Sequence, residues 1–243
     1  MIRREPVLAL AGKELCSWFF SPLFYGTGIF LILFLSIWLY YLQAFYAMNS
    51  AGFRPFFTGF LYVFIPVIPV ITMKSWADEK KTGTSELLFT IPVTEWELCI
   101  AKFISSFFVL LIYVLLSLFV PVTLLPLAKF DIGVLVTEIA GVILLGAFCV
   151  SIGLFCSGMS KNQASAFLSC TVFLIILIFI DRFAMAAGFF PVLARFFGFL
   201  SLFNHFESFS RGLLDSRDLV FFLGGTAFFL FLNTRSLTFR MRS

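Results

Sequence analysis

The sequence is poor in charged residues and in histidine, and these shortages exclude most soluble catalysts. Only 12% of its 243 residues are charged, against about 25% in an ordinary soluble domain, and 61% are hydrophobic. The single histidine, His205, leaves too few nitrogen ligands for a conventional zinc site. The chain also lacks a Gly-x-x-x-x-Gly-Lys-[Ser/Thr] phosphate loop. We therefore expect no metal, no cofactor and no ATPase activity in this chain.

Cysteines in disulfide or metal-binding patterns are absent as well. The chain has five cysteines and none stands in a Cys-x-x-Cys pair. They lie in apolar stretches or on the side that we assign to the cytoplasm below, namely Cys16, Cys99, Cys149, Cys156 and Cys170. A disulfide framework is therefore not expected.

What the sequence does contain is a series of long apolar runs. Crossing the hydrocarbon layer takes about 20 apolar residues in a helix. Six windows nearly free of charge meet this need, although the fourth includes Glu138 and the sixth is short: 22–46, 56–73, 103–125, 134–158, 163–180 and 219–233. The predicted fold is an all-α integral membrane protein with six transmembrane helices, forming a single domain over residues 1–243.

The distribution of basic residues predicts the orientation. Cytoplasmic connections retain lysine and arginine, and six spans place both termini on one side. With the termini inside, most of the 17 basic residues fall on the cytoplasmic side. Outside the long final outer connection, only Arg54 and Lys129 fall on the other side. We therefore predict that both termini are cytoplasmic.

Two connections between the predicted spans are longer than turns. The outer one, from Asp181 to Asp218, mixes phenylalanines with polar groups, which is typical of an interfacial or re-entrant segment. Pro191 and Gly198 are expected to break any single continuous helix there. The inner connection runs from Lys74 to Lys102.

The inner connection contains a short helix candidate. Thr94 and Glu97 form a capping box, which predicts the start of the helix that leads into the third span. Before it, Glu86 to Phe89 form a short amphipathic turn, and Pro92 ends it. Such a surface helix either docks a partner protein or only anchors the loop at the membrane interface.

The same residues carry a family resemblance. The run from Asp78 to Leu88, with Gly83, Thr84 and Glu86, followed by Pro92-Val93 and Lys102, resembles the signature of ABC-2 type transporter permeases. The outer run from Leu202 to Asp215 is similar to the subgroup that includes the gliding-motility permeases and the permease of the nitrous-oxide reductase maturation transporter. The resemblance covers most of the chain.

This resemblance implies a permease that forms a dimer, with a second copy or a related permease, and binds cytoplasmic ABC-type ATPase subunits. The segment from Glu79 to Thr90 would be the coupling helix, and Lys13 and Glu14 would lie beside it in an interfacial helix. The implied contact residues are Glu79, Gly83, Thr84, Glu86, Leu87, Leu88, Phe89 and Pro92. The expected location is a bacterial inner membrane, with membrane lipid and no nucleic acid as further partners.

Several polar or small residues within the spans allow two interpretations each. Gly146, Cys149, Gly153 and Cys156 form a small-residue stripe, which indicates close helix packing or, less simply, a pathway. The ionisable groups Glu138, Asp181 and Arg182 either snorkel to the interface or mark a substrate route. His205 is expected to be a hydrogen-bonded loop residue rather than a ligand.

Two other functions compete with the permease interpretation. An intramembrane protease or lipid transferase would need a catalytic set at membrane depth, but the spans contain no histidine, no paired aspartates and no His-Glu-x-x-His motif. A membrane scaffold that transmits force without transport would use the same coupling helix, and a wide polar cavity would argue against it. Few spans have a polar face, which favours an amphipathic cargo over a small ion.

Overall fold

The protein is built from helices. The computed structural model describes residues 4–42, 53–82, 94–123, 131–186 and 191–241, with side chains at 7–42, 53–77, 94–123, 131–182 and 196–237. Across these ranges we find no strand. The helices are α1 (Arg4–Phe19), α2 (Pro22–Ile37, continued by a π-helical turn, Trp38–Leu42), α3 (Arg54–Thr82), α4 (Glu95–Ser117), α5 (Phe119–Val122), α6 (Ile132–Met159), α7 (Gln163–Ala186), α8 (Pro191–Leu200), α9 (Leu202–Ser210) and α10 (Ser216–Met241).

Six helical stretches are long and apolar enough to cross a membrane, which confirms the predicted fold class. They are Pro22–Leu42, Arg54–Ala77, Glu95–Val122, Ile132–Met159, Gln163–Arg182 and Ser216–Leu237. Helix α3 continues to Thr82, nine residues past the charge-free window that ends at Met73. The first part of the inner connection is therefore a helical extension of the second span.

The two ends of the helical bundle differ in structure. We call the end that carries α1, the last turns of α3, α6 and α10, and the first turns of α4 and α7 the basal face. The opposite end, with α8, α9 and the start of α10, is the distal face.

Pro191 begins α8, where its missing N–H costs no hydrogen bond. The expected break at Gly198 is wrong, because α8 continues through it and ends at Leu200.

Helix α6 lies at the centre of the bundle. It contacts α3, α4, α7, α9 and α10, and 67% of its apolar stretch is buried in the protein, as in α3, against 22% for α7 and α10. Its glycines make this packing possible. A β-carbon on Gly146 would lie 2.5 Å from Leu110 Cδ2, and one on Gly153 would lie 2.8 Å from Thr72 Cγ2. The small-residue stripe therefore serves helix packing.

Helix α3 contains two prolines, Pro66 and Pro69, at membrane depth. A proline lacks the N–H that an α-helix needs for its hydrogen bond to the carbonyl four residues earlier, so the carbonyls of Tyr62 and Ile65 lose their helical partners. Neighbouring helices surround this part of α3, with Ile68 and Phe64 fully buried. Tertiary packing therefore holds α3 helical through both prolines.

Candidate functional site

Most of the predicted contact residues lie outside the part of the chain that the structure describes. Gly83, Thr84, Glu86, Leu87, Leu88, Phe89 and Pro92 fall in residues 83–93. The backbone of Glu79 belongs to α3, while its side chain lies outside the described set. The structure does describe both flanks of this segment, the base of α3 and the start of α4. These flanks and the residues of α1 and α6 that contact them form what we call the basal junction. It comprises Glu14, Ser75, Trp76, Thr94, Glu97, Lys102 and Ser157.

The start of α4 is fixed by the predicted capping box. The Thr94 hydroxyl accepts a hydrogen bond from the Glu97 N–H at 3.4 Å, and the Glu97 carboxylate accepts one from the Thr94 N–H at 2.9 Å. Glu97 is 2% exposed, so this cap is shielded from water. The chain that leaves residue 93 therefore enters a helix whose first turn is held in place.

The base of α3 is held by a serine of the central helix. The Ser157 hydroxyl oxygen accepts hydrogen bonds from the Trp76 and Ala77 N–H groups, at 3.2 and 3.3 Å. Trp76 and Ala77 are buried. These hydrogen bonds hold the base of α3 against α6, five to six residues before α3 ends at Thr82.

Lys102 joins three helices at the basal junction. Its ammonium group donates to the Glu14 carboxylate at 2.7 Å and to the Ser75 carbonyl at 2.6 Å, and it lies 4.7 Å from the centre of the Trp76 ring. The lysine is fully buried, whereas the Glu14 side chain is 23% exposed. The capping box at Thr94 already places Lys102 in a helix, and the residue lies two turns inside α4; its cytoplasmic side stays a prediction.

This contact also places α1 beside the third span. Glu14 is in α1, and Val7 and Ala11 of the same helix pack against Ala101. The resemblance implies an interfacial helix containing Lys13 and Glu14 beside the coupling segment; α1 lies against α4, and its place beside that segment stays a prediction. A salt bridge across 88 residues of sequence fixes α1 against α4.

Unpartnered polar atoms lie close to these contacts. Among the described residues, Trp76 Nε1 and both side-chain polar atoms of Asn233 are buried without a hydrogen-bond partner. A β-carbon on Gly158 would lie 2.7 Å from Asn233 Oδ1, so the glycine makes room for this amide. Buried polar atoms without partners are costly, and these atoms lie in the basal junction or beside it.

At the distal face, His205 and Asp218 form a buried pair. His205 Nδ1 lies 2.6 Å from Asp218 Oδ1, and Nε2 lies 2.8 Å from the Phe199 carbonyl. A carbonyl only accepts, so Nε2 carries a proton, and a further proton lies between Nδ1 and the carboxylate. His205 was expected to be a hydrogen-bonded loop residue; it is hydrogen-bonded, but it lies in α9. The pair ties α8, α9 and α10 together.

An exposed ion-pair group supports the same segment. Glu207 Oε1 lies 2.9 Å from an Arg54 nitrogen and 2.7 Å from an Arg211 nitrogen. The first contact links α9 to the start of α3. Exposed pairs of this kind contribute little stability, about 0 to 1 kcal/mol each. We therefore expect the buried His205–Asp218 contact to contribute more to the stability of the distal face than the exposed Glu207 ion pairs.

Replacing His205 with leucine is expected to destabilise the distal face more than replacing Asp218 with asparagine. The leucine variant leaves the Asp218 carboxylate, which is 6% exposed, without its partner, at a cost of about 2–3 kcal/mol. An asparagine can still donate to Nδ1 while Nε2 donates to Phe199, so its cost should be smaller. Thermal unfolding of the purified protein measures both, with Glu207→Gln as an exposed control. Equal losses for all three variants would contradict the assignment.

The two acidic residues that were candidates for snorkelling are buried in the protein instead. Glu138 is 1% exposed and Asp181 is 5% exposed, and each has one carboxylate oxygen without a partner among the described residues. Arg182 is exposed and lies 3.9 Å from Asp181. Snorkelling is therefore wrong for the two carboxylates, because neighbouring helices cover them.

The described residues offer no metal-binding group. No cluster of three or more histidine, cysteine, aspartate or glutamate side chains lies among them. All five cysteines fall within the described ranges, and all are free thiols. The pairing of Lys102 with Glu14 and that of His205 with Asp218 are contacts that the sequence did not predict.

Six spans, a central packed helix and a capped, charge-paired basal junction define a multi-pass membrane protein. A comparison with protein families matches residues 43–234 to the ABC-2 family transporter proteins. This match covers more than half of the chain, and the chain therefore belongs to that family. A comparison with curated proteins finds no match.

Proposed function

We propose that this chain is the permease subunit of an ABC transporter, which couples ATP hydrolysis by a separate cytoplasmic subunit to export or to mechanical work across the membrane. Membership of the ABC-2 family is the observation that carries the proposal. The permease has no catalytic role of its own. The whole chain, residues 1–243, acts as one transmembrane domain in a bacterial inner membrane.

The basal face is the cytoplasmic side in this proposal, and it binds the ATPase. The segment from Glu79 to Thr90 is the coupling helix, with Leu87, Leu88 and Phe89 in the groove of the ATPase and Glu79 and Glu86 in polar contact with it. Within this segment Gly83 and Thr84 turn the chain, and Pro92 follows its end. Support comes from the flanks, since a segment that transmits force needs firmly held ends, and α3 and α4 are both fastened at the basal junction.

The permease acts as a dimer, either of two copies or with a related chain. Two ATPase subunits bind the two coupling helices. The outer run from Leu202 to Asp215, which forms α9 and the turn after it, supports a place in the subgroup of gliding-motility and nitrous-oxide reductase maturation permeases.

Leu88→Arg is expected to release the ATPase. Arginine would replace the apolar contact of Leu88 in the docking groove of the ATPase with a charge. Loss of a central contact in a protein interface costs about 2 kcal/mol or more, which is roughly 30-fold in affinity for the ATPase. Affinity purification of the chain from detergent-solubilised membranes, followed by identification of co-purifying proteins and an ATP hydrolysis assay, measures this loss.

The matched control is Leu213→Arg, because Leu213 is 62% exposed in the distal connection. This variant should retain the ATPase at the wild-type level. A folded wild-type chain that brings down no nucleotide-binding subunit would overturn the proposal, and retention of the ATPase by Leu88→Arg would overturn the choice of coupling helix.

A further inference from the structure

An apolar groove opens on the surface of the distal half of the bundle. It lies between α7, α8 and α10, with α6 at its floor, and has a volume of about 820 Å³. Its lining is mostly apolar, and the large side chains in it include Phe148, Phe173, Leu177, Phe221, Phe228 and Phe229. Pockets that hold small ligands have volumes of about 300–1,000 Å³. The groove is therefore large enough for a ligand.

The groove faces away from the protein core. Val220, Phe228 and Phe199 on its rim are 71%, 55% and 62% exposed. At membrane depth such a surface is surrounded by hydrocarbon, not by water. An open apolar groove in that position is filled by lipid chains unless protein covers it.

Its length matches one leaflet of a bilayer. The groove follows α10 from Arg217 to Phe229, a distance of about 18 Å at 1.5 Å per residue. Half of the hydrocarbon layer is about 15 Å thick. The groove therefore runs from the distal interface to about the middle of the membrane.

The interfacial end carries a positive charge. Ser216 and Arg217 line the mouth, and both are exposed. The Arg217 backbone N–H donates to Asp215, but its guanidinium makes no hydrogen bond or ion pair with any residue in the described ranges. Arginine binds phosphate through a planar pair of N–H donors. The apolar groove matches the acyl chain of a phospholipid in length, and the guanidinium at its mouth matches the phosphate of the headgroup.

Two neighbouring glycines shape the wall of the groove. A β-carbon on Gly225 would clash with the Phe148 ring, so this glycine lets α10 approach α6. A β-carbon on Gly224 would meet nothing within 4 Å, because this glycine faces the open groove. Position 224 is therefore the place where a larger side chain would fill the groove without disturbing helix packing.

We propose that this groove binds one phospholipid of the distal leaflet, with an acyl chain against α10 and an anionic headgroup at Arg217. In a bilayer an acyl chain gains no hydrophobic free energy by entering a protein groove, so retention depends on close packing and on the guanidinium–phosphate contact. The site is independent of ATPase docking, which takes place at the other face.

Lipid titration of the full-length protein, followed by native mass spectrometry, tests the proposal. The protein is purified in detergent, and palmitoyl-oleoyl phosphatidylglycerol or the matching phosphatidylcholine is added. The wild type should bind one phosphatidylglycerol per chain before any others. Gly224→Trp should weaken this first site about ten-fold. Gly26→Trp is the matched control, because a β-carbon there also meets nothing within 4 Å but the residue lies on α2.

Arg217→Gln provides a second, milder variant of an exposed residue. It should weaken phosphatidylglycerol binding about five-fold and abolish the preference over phosphatidylcholine. Lys13→Gln removes an equal charge at the basal face and should change neither value. Excess inorganic phosphate should not displace the lipid, because the acyl chain holds it in the groove.

Three outcomes would overturn the proposal. The first is unchanged lipid binding in both Gly224→Trp and Arg217→Gln. The second is displacement by phosphate alone, which would indicate a bare anion site. The third is a Gly224→Trp protein that changes from dimer to monomer in the same spectra with its lipid count intact, which would mean that a second copy of the chain fills the groove.

Discussion

Replacing Glu14 with glutamine is expected to lower the thermal unfolding temperature of the purified protein by about 6–12 °C. The variant removes the Glu14 carboxylate from a fully buried ammonium group, and breaking a buried ion pair from one side costs about 3 kcal/mol or more. For a chain of this size, each kcal/mol corresponds to about 2–4 °C. The Ser75 carbonyl and the Trp76 ring remain near the ammonium and limit the loss.

The reverse substitution should cost less. Lys102→Met leaves the Glu14 carboxylate, but that side chain is 23% exposed and can be hydrated, whereas Lys102 is not exposed at all. The double variant Glu14→Gln with Lys102→Met should recover most of the loss, because no buried charge remains unpaired. If the loss in the double variant equals the sum of the losses in the two single variants, the two residues do not act as a pair.

Gly153→Leu is expected to separate α3 from α6 and to cost about 3 kcal/mol or more. Even a β-carbon at this position would lie 2.8 Å from Thr72 Cγ2 and 2.9 Å from Thr72 Cβ, and Cβ cannot rotate away. Overpacking of a buried site costs about 1–3 kcal/mol for a small addition, and leucine adds more. Thermal unfolding and the yield of monodisperse protein from membranes both measure this effect.

The control for this prediction is Gly26→Leu on α2. A β-carbon there meets nothing within 4 Å, so the substitution should be neutral or slightly stabilising through helix propensity. A graded test compares Gly153→Ala with the pair Gly153→Ala and Thr72→Ala, which removes Thr72 Oγ1 and Cγ2. Partial recovery in the pair is expected. If the double variant is no more stable than Gly153→Ala, the side chain of Thr72 is not the source of the clash at position 153.

Local features of this protein were predictable from its sequence because they depend on neighbouring residues. The six spans follow from long runs of apolar side chains, since a lipid-facing segment must satisfy its own backbone as a helix. The capping box at Thr94 and Glu97 was predictable because both partners lie within one turn. The small-residue stripe on α6 was recognisable by its spacing of three and four residues.

Contacts between distant residues were not predictable. Lys102 is the charged residue just before the third charge-free window, and only the folded arrangement brings Glu14 of α1 to it across 88 residues. Similarly, Glu138 and Asp181 looked like interfacial groups from their position near span ends, but the packing of neighbouring helices covers them. The roles of Leu87, Leu88 and Phe89 remain predictions, because they lie outside the described residues.

The break in the outer segment illustrates the competition between propensity and tertiary contacts. Glycine disfavours a helix by about 1 kcal/mol, which predicted an end at Gly198. The helix ends instead at Leu200, where the Ser201 side chain caps α9 by accepting from Asn204 and the Phe199 carbonyl accepts from His205. These later contacts fix the end of the helix two residues further along the chain.

The prolines of α3 divide the second span into two arms. The distal arm begins at Arg54, which pairs with Glu207 of α9, and the basal arm ends at Thr82, within the segment proposed for coupling. Between the arms, the carbonyls of Tyr62 and Ile65 have no helical N–H partner, so bending here breaks fewer backbone hydrogen bonds than bending elsewhere in the helix. A displacement of the basal arm can thus be taken up as a change of angle at Pro66 and Pro69, while the distal arm and the outer helices stay where they are.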